Sequence, residues 1–317
     1  MKGLIVLPSG IAATHITIGR YMDLFLKIKD KFNFDITNTN RTDPIGESYN
    51  VVLSFKNPQK GAFNSAQDII DLPNNVKLIS YFTDLHSHRD VSETLEYSQR
   101  PNDIRFSRVM KRVLERSDII LTPYMTFFER KWPELKNKVV HFPHFINAEY
   151  IKMINLKKSM QCILSGASDL IAYPFRNSVA RSGDKNVYVL DHPGYRIHPT
   201  IGSKYKVGED YCSELSKFYC GLATPSVLGY PVAKYIEVPA CGCLMLAEYT
   251  DDLDRLGFVD GENYLKTTKE TFHDDLDFVL KFSKRFNQIA INGHKHVMNN
   301  YTIDHSVDRF GKVLDRL

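Results

Sequence analysis

Short apolar runs rich in β-branched residues recur along the 317-residue chain, separated by longer segments of helical period. Buried parallel strands read this way, because a sheet covered on both faces leaves no solvent side for polar residues to alternate with. Their regular exchange with helices predicts an α/β fold.

Two series of runs are visible. The first is 3–8 (GLIVLP), 33–37 (NFDIT), 50–55 (NVVLSF), 76–82 (VKLISYF), 117–123 (SDIILTP) and 138–143 (KVVHFP), with helices predicted at about 15–31, 62–71, 103–116 and 124–132. In the first helix Ile18, Tyr21, Met22, Phe25 and Ile28 fall on one face. The second series is 161–166 (QCILSG), 186–191 (NVYVLD), 218–224 (FYCGLAT) and 243–249 (CLMLAEY), with helices predicted at about 174–182, 208–217, 231–241 and 269–285. Between them lies AEYIKMINLKKSM (148–160), weak in strand signals, so the expected domains are 1–150 and 151–317, each a doubly wound sheet. Ligands of such sheets bind beyond the carboxyl ends of the strands, so two of them facing each other enclose a cleft. The segment from about 285 to 315 reads as helices that can cross back to the first domain.

Hydrophobic residues at 43% suffice for two cores, and a formal charge of +4 predicts neither a nucleic-acid nor a membrane surface as partner. MKGLIVLP reads as a first strand rather than a signal peptide, and no window approaches the roughly 18 apolar residues of a membrane span, so no integral membrane segment is expected. All five cysteines lie in the second half with no CxxC pair, which reads as reduced thiols in a cytoplasmic protein. The chain lacks G-x-G-x-x-G, G-x-S-x-G and the P-loop pattern, which removes a nicotinamide enzyme, a serine hydrolase and a P-loop kinase.

Residues at strand ends carry the candidate chemistry. Lys234 and Glu237, three apart on a helix that Pro231 is placed to open and Gly242 to close, share one face. A carboxylate there can accept both hydroxyls of a ribose, and a lysine at a helix start can hold a phosphate; a plain surface ion pair fits the same spacing. LSGAS (164–168) follows a strand and offers small residues at Gly166 and Ala167, where a backbone can approach a phosphate or simply turn. Arg176 sits in an early helical turn, where its charge opposes the helix dipole unless an anion compensates. His192 and Tyr195, in HPGY after the NVYVLD strand, can stack on or bond a base or sugar, or form a rigid surface loop.

In the first domain Asp84, His86, His88 and Asp90 alternate after the VKLISYF strand and point to one side of an extended chain. They can be a metal site, with His141 and His144 as recruits; or Asp84 or His86 can act as a general base or position an acceptor and a transferred sugar; or the stretch can be a solvated loop.

The order Lys234, Glu237, PACGCLMLAE, Asp252-Leu253 and LGFVDGENYL resembles the donor-binding segment of GT-B glycosyltransferases. It is most similar to the group-1 branch that includes the spore-maturation CgeB-type proteins. The resemblance is close over 221–265, looser through LSGAS, YPFR (173–176) and HPGY (192–195), and architectural in the first domain. It implies two Rossmann-like domains facing a cleft and a nucleotide-diphosphate sugar as co-substrate, with no cofactor and no metal. Glu237 would bind the ribose hydroxyls; Arg176 and Lys234 would neutralise the diphosphate beside the backbone of Ser165, Gly166 and Ala167. Gly10, Thr14 and His15, in the loop after the first strand, would face sugar and acceptor, and Asp84 or His86 would serve as catalytic base if the reaction inverts. Eight positions before Glu237, where many members carry a second acidic residue, this chain has Gly229. The acceptor, whether glycan, lipid, protein or modified nucleic acid, is not named by these residues. Rivals are a metal-dependent hydrolase built on Asp84, His86 and His88, and a nucleotide-sugar-binding scaffold without catalysis.

Overall fold

The computed structural model describes residues 1–7, 16–38, 48–55, 67–83, 101–151, 157–192 and 204–317. They form two compact units.

In the first unit β1 (Gly3–Leu7), β2 (Phe34–Asn38), β3 (Val51–Ser54), β4 (Lys77–Tyr81), β5 (Ile119–Thr122) and β6 (Val139–His141) build one parallel sheet in the order β2-β1-β3-β4-β5-β6. Every residue of β1, β3 and β5 is buried, which is why they read as unbroken apolar runs. Alternate residues serve opposite faces. Leu4, Val6, Val52 and Leu78 pack with Ile69 and Leu72 of the α2 (Gln67–Ile70) segment. Around α1 (Ile16–Phe32), Tyr21 and Phe25 meet Phe55, which meets Tyr81, which meets Phe142, at ring separations of 4.8, 5.0, 5.3 and 5.1 Å. The buried face of α1 takes Leu24 where the periodicity placed Met22, which is only half-buried. Two further helices, α3 (Pro101–Arg116) and α4 (Met125–Lys131), follow β4 and β5.

In the second unit β7 (Ser159–Leu164), β8 (Val187–Val189), β9 (Phe218–Ala223), β10 (Leu244–Ala247) and β11 (Leu265–Lys266) pair in parallel in the order β11-β10-β9-β7-β8. The helices are α5 (Pro174–Arg181), α6 (Gly208–Ser216), α7 (Lys234–Ala240), α8 (Asp251–Arg255), α9 (Phe272–Lys281) and α10 (Asn287–Asn300). Tyr211, Leu215, Ile236, Val238 and Val297 cover one face of the sheet, and Phe175, Val179, Phe272 and Leu276 the other. Both sheets are therefore doubly wound, and in each the unit's first strand lies between its second and third. The strand order reverses between β1 and β3, and again between β7 and β9. In such sheets this reversal is where ligands bind.

The chain leaves the first unit after Pro143, earlier than the weak stretch suggested. Ile146 already exchanges backbone hydrogen bonds with Tyr301 and Ile303, which commits it to the second unit. Of the terminal helices, α10 stays with the second unit, while Ser306–Leu317 of α11 (Ile303–Leu314) and the tail belong to the first. There Phe310 meets Phe32 and Phe34 edge-on at 5.8 and 5.7 Å, and Asp308 pairs with Lys31 at 2.8 Å.

Candidate functional site

The reversal between β7 and β9 collects most of the second unit's candidate residues. Past Leu164 the chain turns through Ser165, Gly166 and Ala167, and Gly166 takes φ +90°, a conformation that glycine adopts without cost. A β-carbon there would stand 2.9 Å from Lys234 Cε and 3.1 Å from Arg176 Nη1. The position thus needs glycine twice, for its backbone and for the close approach of two cations.

Arg176, the third residue of α5, is 2% exposed. Its Nη1 donates to the Ala167 carbonyl at 2.8 Å and its Nη2 to the Thr224 carbonyl at 3.2 Å, while Tyr173 lies 4.3 Å beneath the guanidinium. Ala167 follows β7 and Thr224 follows β9, so one side chain ties the two loops at the reversal. These two carbonyl dipoles compensate part of the charge that Arg176 places in this helical turn. Asn177 Nδ2 donates to the Ser168 carbonyl at 2.7 Å and Asp169 Oδ1 accepts from Ala172 N–H at 2.7 Å, which hold the rest of the loop.

Helix α7 begins at Lys234, about a turn later than Pro231 suggested, and ends before Gly242, whose φ is +72°. Lys234 Nζ donates to Glu237 Oε2 and, at 2.8 Å, to the Tyr211 hydroxyl. That hydroxyl lies 3.2 Å from the same Glu237 oxygen and 2.9 Å from Ser165 Oγ. The side chains of Lys234 and Glu237 are 14% and 3% exposed, which disposes of the surface ion pair. Removing one member of a buried pair strands a charge, at a cost of about 3–5 kcal/mol. Burial and the charge of Glu237 hold the Tyr211 phenol protonated, well above its ordinary pKa of 10.0.

Gly166, Ala167, Arg176, Lys234 and Glu237 are therefore neighbours, as their sequence spacing alone could not require. His192 lies three residues beyond the edge strand β8, which pairs with β7, and the Leu190 N–H donates to the Leu164 carbonyl at 2.9 Å just before the Ser165–Ala167 turn. Gly10, His15, Asp84, His86 and Tyr195 lie outside the described residues, as do Thr14, His88 and Asp90. Among the described residues no group of three His, Cys, Asp or Glu side chains could hold a metal ion. Gly229 takes φ +78°, with its N–H on the Ser226 carbonyl at 2.9 Å, so an acidic residue there would pay backbone strain. Sequence reasoning missed Tyr211. Its place on an apolar helix face marks it as core, and only the general need of a buried phenol for a partner hinted at more.

Residues 181–311 match a family of proteins described as glycosyl transferase-like. No protein of curated function matches the chain by sequence. Among solved structures, HepE from Anabaena in complex with UDP and glucose superposes with a TM-score of 0.65 at 10% identity, covering 100% of both chains. Sucrose-phosphate synthase from Thermosynechococcus elongatus gives 0.66 at 12% identity, over 100% of this chain and 99% of that one. A glycosyltransferase from Rickettsia africae gives 0.57 at 10% identity, over 98% and 97%. Among the described residues no helix is long and apolar enough to cross a membrane. The two doubly wound units are the two Rossmann-like domains of the GT-B glycosyltransferase fold.

Proposed function

We propose that this chain is a glycosyltransferase that takes its sugar from a nucleotide-diphosphate sugar held by the second unit, and that it belongs with the group-1, CgeB-type branch. The observation that carries this reading is the pair of half-buried Lys234 and buried Glu237 standing against Gly166 at the reversal of the second sheet. An ammonium beside a close-approach glycine suits a diphosphate, and a carboxylate one helical turn on suits the vicinal hydroxyls of ribose. The glycosyl transferase-like match over 181–311 and the UDP and glucose bound by HepE support it.

In this reading the chemical task is to stabilise the charge that develops on the departing nucleoside diphosphate. Lys234 Nζ and the backbone N–H groups of Gly166 and Ala167 provide fixed positive potential, and the Arg176 charge lies just behind the loop. These groups do the work without a metal ion in our proposal. His192 and Tyr195 border the donor. We assign the acceptor to the first unit, with Gly10 and His15 as substrate-binding residues and, if the reaction inverts, Asp84 or His86 as the base that takes the acceptor's proton. A cytoplasmic location goes with this reading.

Incubation with UDP-, GDP-, dTDP- and CDP-sugars, with and without chelator, tests it. The expected result is release of a nucleoside diphosphate from at least one donor, undiminished by chelation. No release from any donor in the presence of candidate acceptors would overturn transfer; release abolished by chelation would overturn metal independence.

A further inference from the structure

We infer that Tyr211 is a positioning residue that sets the ribose-binding carboxylate and links it to the loop carrying the diphosphate, so that the two halves of the donor are recognised as one. This rests on the donor reading of the same site and goes beyond it by giving a role to a residue on a third element, α6.

The argument is one of hydrogen-bond valence. A phenol has one proton to donate and two lone pairs to accept with. The Lys234 ammonium can only donate, so at 2.8 Å it occupies one lone pair of the Tyr211 oxygen. The Glu237 carboxylate can only accept, so the Tyr211 proton goes to Oε2 at 3.2 Å. The second lone pair is then open to the Ser165 hydroxyl at 2.9 Å, where either oxygen could have been the donor and only one choice now fits. This assignment fills every position on the phenol oxygen and places two donors, Lys234 and Tyr211, on the same oxygen of Glu237.

Two donors on one oxygen fix the rotation of a carboxylate whose terminal torsion is otherwise broad. A diol is recognised only when that rotation is right. The same phenol grips Ser165, the residue directly before Gly166, so a shift of the loop after β7 is felt at Glu237. Tyr211 is 5% exposed, and its ring also lies 4.8 Å from the Lys234 ammonium. A role in packing alone would use the ring and leave the hydroxyl idle.

The test compares each ribonucleoside diphosphate (ADP, GDP, CDP, UDP) with its 2′-deoxy counterpart by titration calorimetry on wild type, Tyr211→Phe and Ser165→Ala. Tyr211→Phe keeps the ring and removes only the hydroxyl. The wild type is expected to prefer one ribonucleotide over its deoxy form by about tenfold or more, the scale of a hydrogen bond to a charged group. Tyr211→Phe is expected to weaken the ribo form about tenfold and the deoxy form hardly at all, so that the preference collapses. Ser165→Ala, which leaves the phenol to Glu237 but frees the loop, is expected to move the ratio the same way by less, and it serves alone if Tyr211→Phe fails to fold. A wild-type preference retained by both variants overturns this inference while the donor reading stands. Tight binding by the wild type with no ribose preference overturns this inference together with the ribose role of Glu237, while diphosphate binding by the second unit stands. Binding of no diphosphate by the wild type overturns the donor reading itself.

Discussion

Arg176 Nη2 donates to the Thr224 carbonyl at 3.2 Å across the boundary where the second sheet reverses its strand order. Because Nη1 of the same guanidinium holds Ala167 at 2.8 Å, the loops after β7 and β9 are spaced by one rigid planar group. The loop that brings Gly166 against Lys234 is thereby built on a fixed frame.

Arg176→Lys should break that frame while keeping its charge, since an ammonium lacks the fork that reaches both carbonyls. Loss of a charged hydrogen bond in a buried setting costs about 2–3 kcal/mol, read as a lower urea midpoint. A change below about 0.5 kcal/mol would mean that the loops hold their spacing without Arg176.

Gly166→Ala should cost about 1–3 kcal/mol from its left-handed φ and displace Lys234 Cε or Arg176 Nη1, so nucleotide binding falls with stability. Gly183→Ala is the control. Its φ of +69° is as demanding, but a β-carbon there meets nothing within 4 Å, so it should lose stability alone. Equal binding losses in the two variants would contradict the close approach.

All five cysteines are free and buried. Burial pushes the Cys243 thiol up to about 11, despite Lys158, and burial raises Cys162 and Cys220 further. The hydrogen bond that Cys241 donates to Cys212, then burial, raises Cys241. Unfolded thiols ionise near 9.0 while these keep their protons, so the unfolded state binds fewer protons above that pH. Their contribution is intact below about pH 9 and is lost as pH rises towards the folded values, by about 1.4 kcal/mol per pH unit for each thiol. Urea midpoints should therefore fall from pH 8.5 to about 10.5, and a thiol reagent at pH 8 should react only as the protein unfolds. A midpoint that rises over this interval would contradict the assignment.

Phe310→Ala removes the ring that the C-terminal helix places against Phe32 and Phe34. Such a truncation costs about 3–5 kcal/mol in a packed core. Hydrogen exchange should accelerate at the β1 amides of Ile5 and Val6, paired with β2 and β3, and leave β9 and β10 protected. Acceleration confined to the second unit would place the helix elsewhere.

The fold was largely readable because most of its strands are buried on both sides: the strands ending at Leu7, Thr122, Ala223 and Ala247 announce themselves by composition. Among the described strands and α-helices the two-residue β11 and the five-residue α8 escaped, being too short to show a period. The site was readable in part. Lys234 and Glu237 share a helix turn, so spacing reveals them. Their meeting with Gly166 depends on which strands are neighbours, and no local pattern encodes the order β9-β7. Arg176 was found for its charge, yet its bonds to two carbonyls from separate loops are a product of tertiary structure. Tyr211 was hidden because a buried tyrosine and a site tyrosine have the same helical spacing.

The central claim is that the Lys234–Glu237 pair at the reversal of the second sheet binds a nucleoside diphosphate. Titration calorimetry of UDP, GDP, CDP and dTDP against wild type and Glu237→Gln tests it most directly, the amide keeping the shape of the side chain while removing its charge. The account expects at least one diphosphate to bind the wild type and to bind Glu237→Gln about tenfold or more weakly. Binding of none, or equal binding to both proteins, would contradict it.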